Sequence, residues 1–376
     1  MIKLLMMLPN WLLLKLSGKK QIEIGKRKLH PPFQFLLKLT ENLVTDFDTL
    51  TPDQFRAGYL EQNRIAPKFP SGIDWKDHQI EVSGTKILVR EYYSPQTKEG
   101  CPALVYFHGG GWVIGDIETH HQLTGYLCEN LEAKVFSVDY RLSPEEKYPV
   151  PLDDCDQAFE WVLNNSDALG VDKNKIAAGG DSAGGNLTAA LCIRRKKENK
   201  TLPKAQLLLY PVTDLHLQKS SINECAEGFF LTKAAMEWFR KHYLNSLDEM
   251  KDPFVSPLVA EDLSNLPPAV VSTAGFDPLR DEGDEYAKKL ISSGNNVFHQ
   301  ENHGFIHGFA NLGYIPGVPQ VLNEICSNLK DDEVRYTQIF LLSICLFGIS
   351  SSLVAKENKD MEESIRTKWD DESSVK

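Results

Sequence analysis

The hydrophobic positions of the chain fall into short apolar runs separated by amphipathic segments. Two alternating runs, 78–82 and 86–93, flank a Ser-Gly-Thr turn and predict an antiparallel strand pair. Six further apolar runs predict buried strands: 103–107, 134–138, 175–178, 206–210, 269–273 and 296–300. Segments of helical periodicity, such as 153–169, lie between them. This alternation predicts an α/β fold in which helices flank a mostly parallel central sheet.

One stretch, residues 215–263, interrupts this alternation with a helical pattern between two predicted strands. Within it, residues 232–243 place Met236, Phe239 and Tyr243 on one helical face. These side chains could belong to an ordinary core. Because loops at the carboxyl ends of parallel strands build ligand pockets, we predict instead a helical cap over a binding site.

Residues 1–30 form an apolar and basic extension. Residues 4–14 carry no charge and lie between Lys3 and Lys15, which makes the run too short to span a bilayer. A signal peptide is an alternative, but no small-residue cleavage site follows the run. The pattern therefore favours an amphipathic cap extension or an interfacial anchor.

The other end carries an uncharged run at 337–355, after a predicted final helix at 318–329. Its length approaches that of a transmembrane helix, whereas the three serines at 350–352 lower its hydrophobicity. A membrane span, a helix packed on the domain and an appendage all stay open. Residues 356–376 are rich in both charge signs, and we expect them to be disordered.

Composition excludes several classes of function. A formal net charge of −11 argues against a nucleic-acid partner, because phosphate binding needs a concentrated basic face. The cysteines are odd in number and scattered, which favours thiols over a disulfide framework; they stand at positions 101, 128, 155, 192, 225, 326 and 345.

No metal-binding spacing is present, and the adjacent His120 and His121 are predicted to be solvated. We therefore expect no metal and no cofactor.

The most informative motif is Gly-Asp-Ser-Ala-Gly at 180–184, between a predicted strand and a helix-forming stretch. This arrangement is typical of a nucleophile elbow, in which Ser182 lies on a sharp strand-to-helix turn. The crowding at such a turn explains glycine two residues before and two residues after the serine. An ordinary glycine-rich turn is the alternative.

A second motif, His-Gly-Gly-Gly-Trp at 108–112, follows the predicted strand 103–107. Consecutive glycines let backbone N–H groups approach a substrate closely, as an oxyanion hole requires. The expected donors are Gly110 and Gly111, joined by the N–H of Ala183, directly after the nucleophile. A phosphate-binding loop is the rival interpretation, but the Gly-Lys-Ser/Thr and G-x-G-x-x-G spacings are missing.

A serine nucleophile needs a base and an acid that orients the base. Asp277 follows the predicted strand 269–273, and we favour it as the acid over Asp281 and Glu282, which fall in the first turn of the next helix.

Three histidines compete for the role of the base. His299 alternates within the predicted strand 296–300, and we expect it to be structural, whereas His303 and His307 are both predicted to lie in the following loop. The pattern alone leaves these two open.

Five ordered motifs resemble the hormone-sensitive-lipase-like carboxylesterases, the α/β-hydrolase fold-3 family. Besides the two above, they are Tyr-Arg-Leu-Ser-Pro-Glu at 140–145, where the family has Ala at the position of Ser143, Asp-Pro-Leu-Arg-Asp-Glu-Gly at 277–283 and His-Gly-Phe at 307–309. The resemblance covers about residues 31–330. It implies an α/β-hydrolase domain with cap segments 31–70 and 215–263, and a triad of Ser182, Asp277 and His307.

The resemblance further implies a serine carboxylesterase or lipase that hydrolyses short- to medium-chain esters through an acyl-enzyme. An amidase or lactonase with the same triad, or a non-catalytic small-molecule receptor on the same fold, is the alternative. We expect a cytoplasmic protein, with membrane association through residues 1–30 or through 337–355 of the extension 331–376.

Overall fold

In a computed structural model of the chain, the described residues are 2–41, 46–63 and 68–330. The uncharged run 337–355 and the charged tail 356–376 lie outside them, so the predictions for these segments stay predictions. Between residues 2 and 330, the described helices include none with the length and apolar character that crossing a membrane requires.

A small hairpin and one eight-stranded sheet contain all the strands of the described residues. The hairpin consists of β1 (Glu23–Ile24) and β2 (Arg27–Lys28). The sheet strands are β3 (Asp74–Val82), β4 (Thr85–Tyr93), β5 (Cys101–Phe107), β6 (Lys134–Asp139), β7 (Val171–Asp181), β8 (Gln206–Leu209), β9 (Ala269–Phe276) and β10 (Val297–Ile306).

The order of strands across the large sheet is β10-β9-β8-β7-β5-β6-β4-β3. Strands β3 and β4 pair antiparallel, as does β4 with β6, while all other neighbours are parallel. The predicted mostly parallel sheet is therefore confirmed. Strands β5, β7, β8 and β9 occupy its middle, and the loops after their carboxyl ends meet at one edge of the sheet.

Helices cover both faces of the sheet. In chain order they are α1 (Ile2–Met6), α2 (Asn10–Leu16), α3 (Pro31–Thr40), α4 (Pro52–Asn63), α5 (Ile117–Leu131), α6 (Val150–Asn164), α7 (Ala183–Lys197), α8 (Ser220–Glu224), α9 (Lys233–Tyr243), α10 (Arg280–Ser292) and α11 (Val318–Lys330). One apolar core includes residues of α6, α7, α9 and α10, and a second includes residues of α2, α3, α5 and α11.

Most predicted elements have somewhat different bounds in the structure, and three of the differences are the most informative. The helix predicted at 153–169 spans Val150–Asn164, and the side chain of Asn165 donates to the carbonyl oxygen of Trp161 where the helix ends. The predicted strand 175–178 is extended to Asp181, because Gly179 and Gly180 pair with β5 and β8 on either side.

Strand β10 runs to Ile306, well beyond the predicted end at Gln300. Its pairing with β9 continues through Asn302, whose side chain donates to the carbonyl oxygen of Thr273. The prediction that His303 lies in a loop is therefore wrong. His303 belongs to the strand, and His307 is the first residue after it.

The predicted helix 232–243 is confirmed as α9, and Met236, Phe239 and Tyr243 are all buried. Phe55 of α4 stacks on Phe239, with ring centroids 5.6 Å apart. The two segments that the sequence predicts as cap, 31–70 and 215–263, thus contact each other.

Candidate active site

Ser182 lies on the turn between the end of β7 and the start of α7. Its backbone has φ 55° and ψ −116°, a sparsely populated conformation that the surrounding turn must hold in place. A Cβ atom at Gly180 would lie 2.3 Å from the carbonyl oxygen of Phe107, and one at Gly184 would lie 1.9 Å from the same oxygen. Both glycines are needed for the close approach of β5 to the turn, as the motif indicates.

The structure brings Ser182, His307 and Asp277 into one hydrogen-bonded line. His307 Nε2 is 3.0 Å from Ser182 Oγ, and His307 Nδ1 is 2.8 Å from Asp277 Oδ2. Asp277 follows β9 and is fully buried, and the backbone N–H of Leu279 donates to its Oδ1 at 2.8 Å. The Tyr210 ring packs on the imidazole in a T-shaped arrangement, with ring centroids 4.9 Å apart. A carboxylate bonded to Nδ1 leaves Nε2 free to accept a proton from the serine.

The competing acids have other partners. Asp281 pairs with Arg280 at 2.7 Å and accepts a hydrogen bond from the N–H of Ser221. Glu282 accepts hydrogen bonds from the N–H groups of Thr213 and Asp214, and burial raises its pKa well above the ordinary value for glutamate. Glu282 therefore anchors the loop after β8 rather than orienting a histidine.

The competing histidines also point elsewhere. The His303 side chain is 66 % exposed, and its Nδ1 is 3.8 Å from Glu301. His299 Nε2 is 3.1 Å from Asp284 on α10, which fits the structural role predicted for it. Of the three, His307 is the one that contacts both Ser182 and Asp277 in the described part of the chain.

The glycine loop after β5 has positive φ angles, which glycine adopts at little cost and other residues rarely adopt. Gly110 and Gly111 have φ values of 123° and 58°. A Cβ atom at Gly110 would lie 2.1 Å from the carbonyl oxygen of Ile114, and one at Gly111 would lie 2.3 Å from the ring of Phe239. Within the described residues, the N–H groups of Gly110, Gly111 and Ala183 donate to no protein acceptor, so they are available to a bound oxyanion.

A buried polar network, which the sequence motifs do not predict, holds the glycine loop in place. Asp181 Oδ1 accepts hydrogen bonds from the Tyr106 hydroxyl at 2.7 Å and the Gly109 N–H at 2.9 Å. His120 Nε2 is 3.3 Å from the same oxygen. Asp181, the residue directly before Ser182, thus ties the turn that carries Ser182 to the loop that carries Gly110. The carboxylate at position 181, directly before Ser182 in a motif otherwise made of small residues, is the sequence signal for this role.

The prediction that His120 and His121 are solvated is wrong for His120, while His121 is half-buried. His120 is fully buried against Asp181, and His121 stacks on Phe69 at 4.2 Å and hydrogen-bonds the Tyr92 hydroxyl. Both lie on α5, whose packing against the sheet cannot be read from two adjacent histidines.

The buried groups beneath the loop have shifted pKa values. Burial lowers the pKa of His108 to about 4, with a further contribution from the nearby His120, so the His108 ring is neutral at pH 7. Burial alone would raise the pKa of Asp181, but His120 and the hydrogen bonds from Tyr106 and Gly109 lower it below the ordinary aspartate value. Asp181 therefore carries a negative charge beneath the loop.

Asp181→Ala is expected to lower kcat by about a hundredfold while KM changes little, because a displaced loop weakens oxyanion binding only in the transition state. Asp181→Asn, whose carbonyl oxygen can still accept from Gly109, should recover part of that loss. Asp181→Ala also removes one partner of the buried pair with His120, so it should lower the free energy of unfolding by about 3 kcal/mol. Steady-state kinetics and thermal unfolding check both effects.

The matched control is Asp156→Ala, which removes a buried carboxylate that pairs with Arg195 at 2.6 Å on α7. It should lower stability without a specific effect on kcat. Because the folded-state pKa of Asp181 is lowered, its contribution to stability is present above the ordinary aspartate pKa and is lost as pH falls through the folded value. An equal fall in kcat in both alanine variants would contradict the positioning role.

Hydrogen bonds and an ion pair of the Arg56 side chain connect α4 to the loops around the site. Arg56 Nε donates to the carbonyl oxygen of Val113 at 2.8 Å, and its Nη2 donates to that of Ser143 at 3.0 Å. The same guanidinium binds both carboxylate oxygens of Glu145 at 2.9 and 2.7 Å. The Tyr-Arg-Leu-Ser-Pro-Glu motif thus supplies the surface on which α4 lies.

An apolar wall lies beside the glycine loop. It comprises Phe239, in contact with Gly111, and its neighbours Trp238 and Phe55. Phe230 is 49 % exposed, and its ring would lie 3.6 Å from a Cβ atom at Gly308, beside His307.

Two further aromatic residues, Trp112 of the glycine motif and Phe229 of the segment 215–263, pack into the core. Trp112 is buried and stacks on Tyr243 at 4.1 Å, and Phe229 packs on Phe276.

One group among the described residues could hold a metal ion by composition. It contains Asp284, His299 and Glu301, whose ligand atoms lie within 4.8 Å of one another. It lies on α10 and the edge strand β10, and Ser182, Asp277 and His307 take no part in it.

Comparisons with known proteins identify similar chains. A sequence model of a family described as having the alpha/beta hydrolase fold matches residues 104–311. The carboxylic ester hydrolase LipN of Mycobacterium tuberculosis is 38 % identical over 325 residues, which cover 84 % of this chain and 86 % of LipN. An arylesterase of Saccharolobus solfataricus is 39 % identical over 269 residues, 71 % of this chain and 86 % of the relative.

A solved structure extends the similarity to three dimensions. An ester hydrolase from the metagenome of Lake Arreo, in complex with a bipyridine phosphonate derivative, superposes with a TM-score of 0.77 at 35 % identity. The match covers 80 % of this chain and 98 % of that structure.

Proposed function

We propose that this chain, which belongs to the alpha/beta-hydrolase fold family, hydrolyses short- to medium-chain carboxylic esters through an acyl-enzyme on Ser182. The observation that carries the proposal is the hydrogen-bonded line from Ser182 Oγ through His307 to Asp277. The named relatives support the class of the enzyme, a carboxylic ester hydrolase.

The first half-reaction transfers the acyl group to the enzyme. His307 Nε2 takes the proton of Ser182 as Oγ forms a bond to the ester carbonyl carbon, and the carbonyl electron pair moves to oxygen. Asp277 keeps Nδ1 protonated and stabilises the imidazolium that forms. The tetrahedral intermediate then expels the alcohol, whose oxygen takes the proton from Nε2.

The oxyanion is bound by the N–H groups of Gly110, Gly111 and Ala183. These donors are held before the substrate arrives, so they need no reorganisation when the negative charge develops. Asp181 accepts a hydrogen bond from the N–H of Gly109 and so fixes the loop that carries Gly110 and Gly111.

The second half-reaction returns the enzyme to its starting state. His307 removes a proton from water, and the hydroxide oxygen attacks the acyl carbon. Collapse of the second tetrahedral intermediate breaks the bond to Ser182 Oγ, which regains its proton, and releases the carboxylic acid.

We infer that the cap is formed by 31–70 and 215–263, and that it shapes the pocket for the substrate. The stack of Phe55 on Phe239 supports this division, because it joins the segment 31–70 to the ring that lies against Gly111. The cysteines in the described residues are buried and unpaired, which supports a reducing, cytoplasmic environment.

A substrate panel tests the proposal against the two alternatives. We expect kcat/KM for a p-nitrophenyl ester to exceed that for the matching p-nitroanilide or for a lactone by orders of magnitude. Faster turnover of the anilide or lactone would indicate an amidase or lactonase. Binding of the ester without turnover would indicate a receptor.

The apolar wall predicts how activity depends on acyl length. Each buried methylene should raise kcat/KM by up to about fourfold, equivalent to about 0.8 kcal/mol, until the pocket is full. Activity on p-nitrophenyl esters should therefore rise through short chains and decline for long ones. Phe239→Ala should move the optimum to longer chains, because it removes a ring beside Gly111.

The control for this measurement is Phe254→Ala, since the Phe254 ring packs under Lys197 rather than beside the glycine loop. Its chain-length profile should match that of the wild type. A wild-type optimum at about sixteen carbons, where the burial gain continues to grow, would instead indicate a long-chain lipase.

A further inference from the structure

The first residues of the chain differ in charge from the rest. Residues 1–28 carry seven lysine and arginine residues and one glutamate, although the whole chain has a net charge of −11. Lys15, Lys19, Lys20 and Lys26 are exposed, and none of them has a carboxylate partner within 4 Å among the described residues. The extension is therefore a basic surface on an acidic protein.

The same surface exposes large apolar side chains. Leu4, Met7, Trp11 and Leu16 are 74, 75, 65 and 46 % exposed, and they account for four of the nine large hydrophobic residues exposed within the described part of the chain. Leu4 and Met7 are three residues apart, and Trp11 and Lys15 are four apart on α2. Trp11 and Lys15 therefore share one side of α2, while Leu4 lies on α1 and Met7 directly follows that helix. Exposed apolar clusters of this kind mark interaction sites.

The extension is fixed to the domain by its other side. Met6 and Leu13 are fully buried. The buried Gln34 side chain of α3 donates to Ser17 Oγ at 2.9 Å and accepts from the N–H of Ile22 at 2.9 Å. The exposed residues are thus presented by a packed scaffold rather than by side chains that could turn inward.

We propose that α1, α2 and the following basic residues form a docking surface for an anionic lipid membrane. Leucine and methionine side chains would enter the acyl boundary, Trp11 would lie at headgroup level, and the lysines would contact anionic headgroups. A protein partner fits this surface less well, because lysine is depleted in the cores of protein interfaces.

The docking surface adjoins the segment that carries His307. The N–H of His30 donates to the carbonyl oxygen of Gly304 at 2.8 Å, and Phe33 of α3 packs edge-on against Phe305 at 5.0 Å. Membrane docking would therefore place this side of the catalytic domain near the lipid surface, where apolar esters accumulate.

Vesicle sedimentation of the full chain tests the proposal. We expect binding to vesicles of phosphatidylcholine mixed with phosphatidylserine, weaker binding to phosphatidylcholine alone, and release by salt.

The variant L4A/M7A/W11A should lose at least about tenfold in affinity for the anionic vesicles. Each of K15Q, K19Q and K20Q should cost up to about fivefold on the anionic vesicles. The control L247A/K251Q changes an exposed leucine and lysine elsewhere and should bind like the wild type.

A second readout isolates the position of Trp11. Brominated lipids should quench tryptophan fluorescence of the bound wild type, and Trp11→Phe should lose that quenching while it still binds. All variants should retain wild-type turnover of a water-soluble ester, which separates this proposal from the proposed function.

Two results would overturn the membrane assignment. One is vesicle binding that L4A/M7A/W11A does not weaken, together with quenching that Trp11→Phe does not change. The other is a dimer in lipid-free solution that this triple variant converts to a monomer, without any vesicle binding by the wild type. The surface would then be an interface between copies of the chain.

Discussion

Ser182→Ala is expected to abolish ester hydrolysis, lowering kcat by about a millionfold, to the level that the oxyanion donors and substrate binding sustain alone. The hydroxyl oxygen of Ser182 is the atom 3.0 Å from His307 Nε2, and alanine removes it without adding volume to the crowded turn between Gly180 and Gly184. Initial rates on a p-nitrophenyl ester measure the effect.

The control for this variant is Ser137→Ala on β6, which removes another buried serine hydroxyl, one without a hydrogen-bond partner in the described residues. It should keep wild-type activity. Thermal unfolding of Ser182→Ala should stay close to that of the wild type. A folded Ser182→Ala protein that still hydrolyses esters at a tenth of the wild-type rate would remove Ser182 from the mechanism.

His307→Ala should also lower kcat by several orders of magnitude, because no other base contacts Ser182 Oγ among the residues that the structure describes. His303→Ala should have a small effect, since that side chain is 66 % exposed and faces Glu301. The two histidines are four residues apart, so the pair forms a matched comparison. Parallel kinetics of both variants decide between them, and a larger loss in His303→Ala would reverse the assignment of the base.

Much of the fold was predictable because its signals are local. Each predicted sheet strand corresponds to an observed strand, and the motifs at 108–112 and 180–184 fall at strand ends as expected. The prediction of an α/β-hydrolase fold and of the family is confirmed. These features follow from apolar runs and from glycines at crowded turns, which a single sequence displays directly.

The errors arose where distant segments determine local structure. The apolar pattern ends near Gln300 and so predicts a loop at His303, yet pairing with β9 extends the strand past this residue. His120 looked polar and solvated, but its partner Asp181 lies on a different element of the fold. Contacts between residues so far apart in the chain have no periodic signature, so the pattern could not reveal them.

The choice between His303 and His307 shows the same limit. Both follow an apolar run and both precede glycine, so neither composition nor spacing distinguishes the catalytic base from the other histidine. The register of β10 separates them, because it ends the strand at Ile306 and leaves His307 facing Ser182 and Asp277. At the level of sequence, the choice of His307 rests on the resemblance of His-Gly-Phe at 307–309 to the family motif.

Covalent labelling tests the proposed mechanism most directly. The wild type would be incubated with a p-nitrophenyl phosphonate, whose phosphorus accepts the nucleophile and releases p-nitrophenol, and the modified peptide would be identified by mass spectrometry. We expect one adduct, on Ser182, formed in proportion to the loss of esterase activity, and no adduct in Ser182→Ala. Inactivation with the phosphonyl group on another residue, or undiminished labelling of Ser182→Ala, would contradict the assignment of Ser182 as the nucleophile.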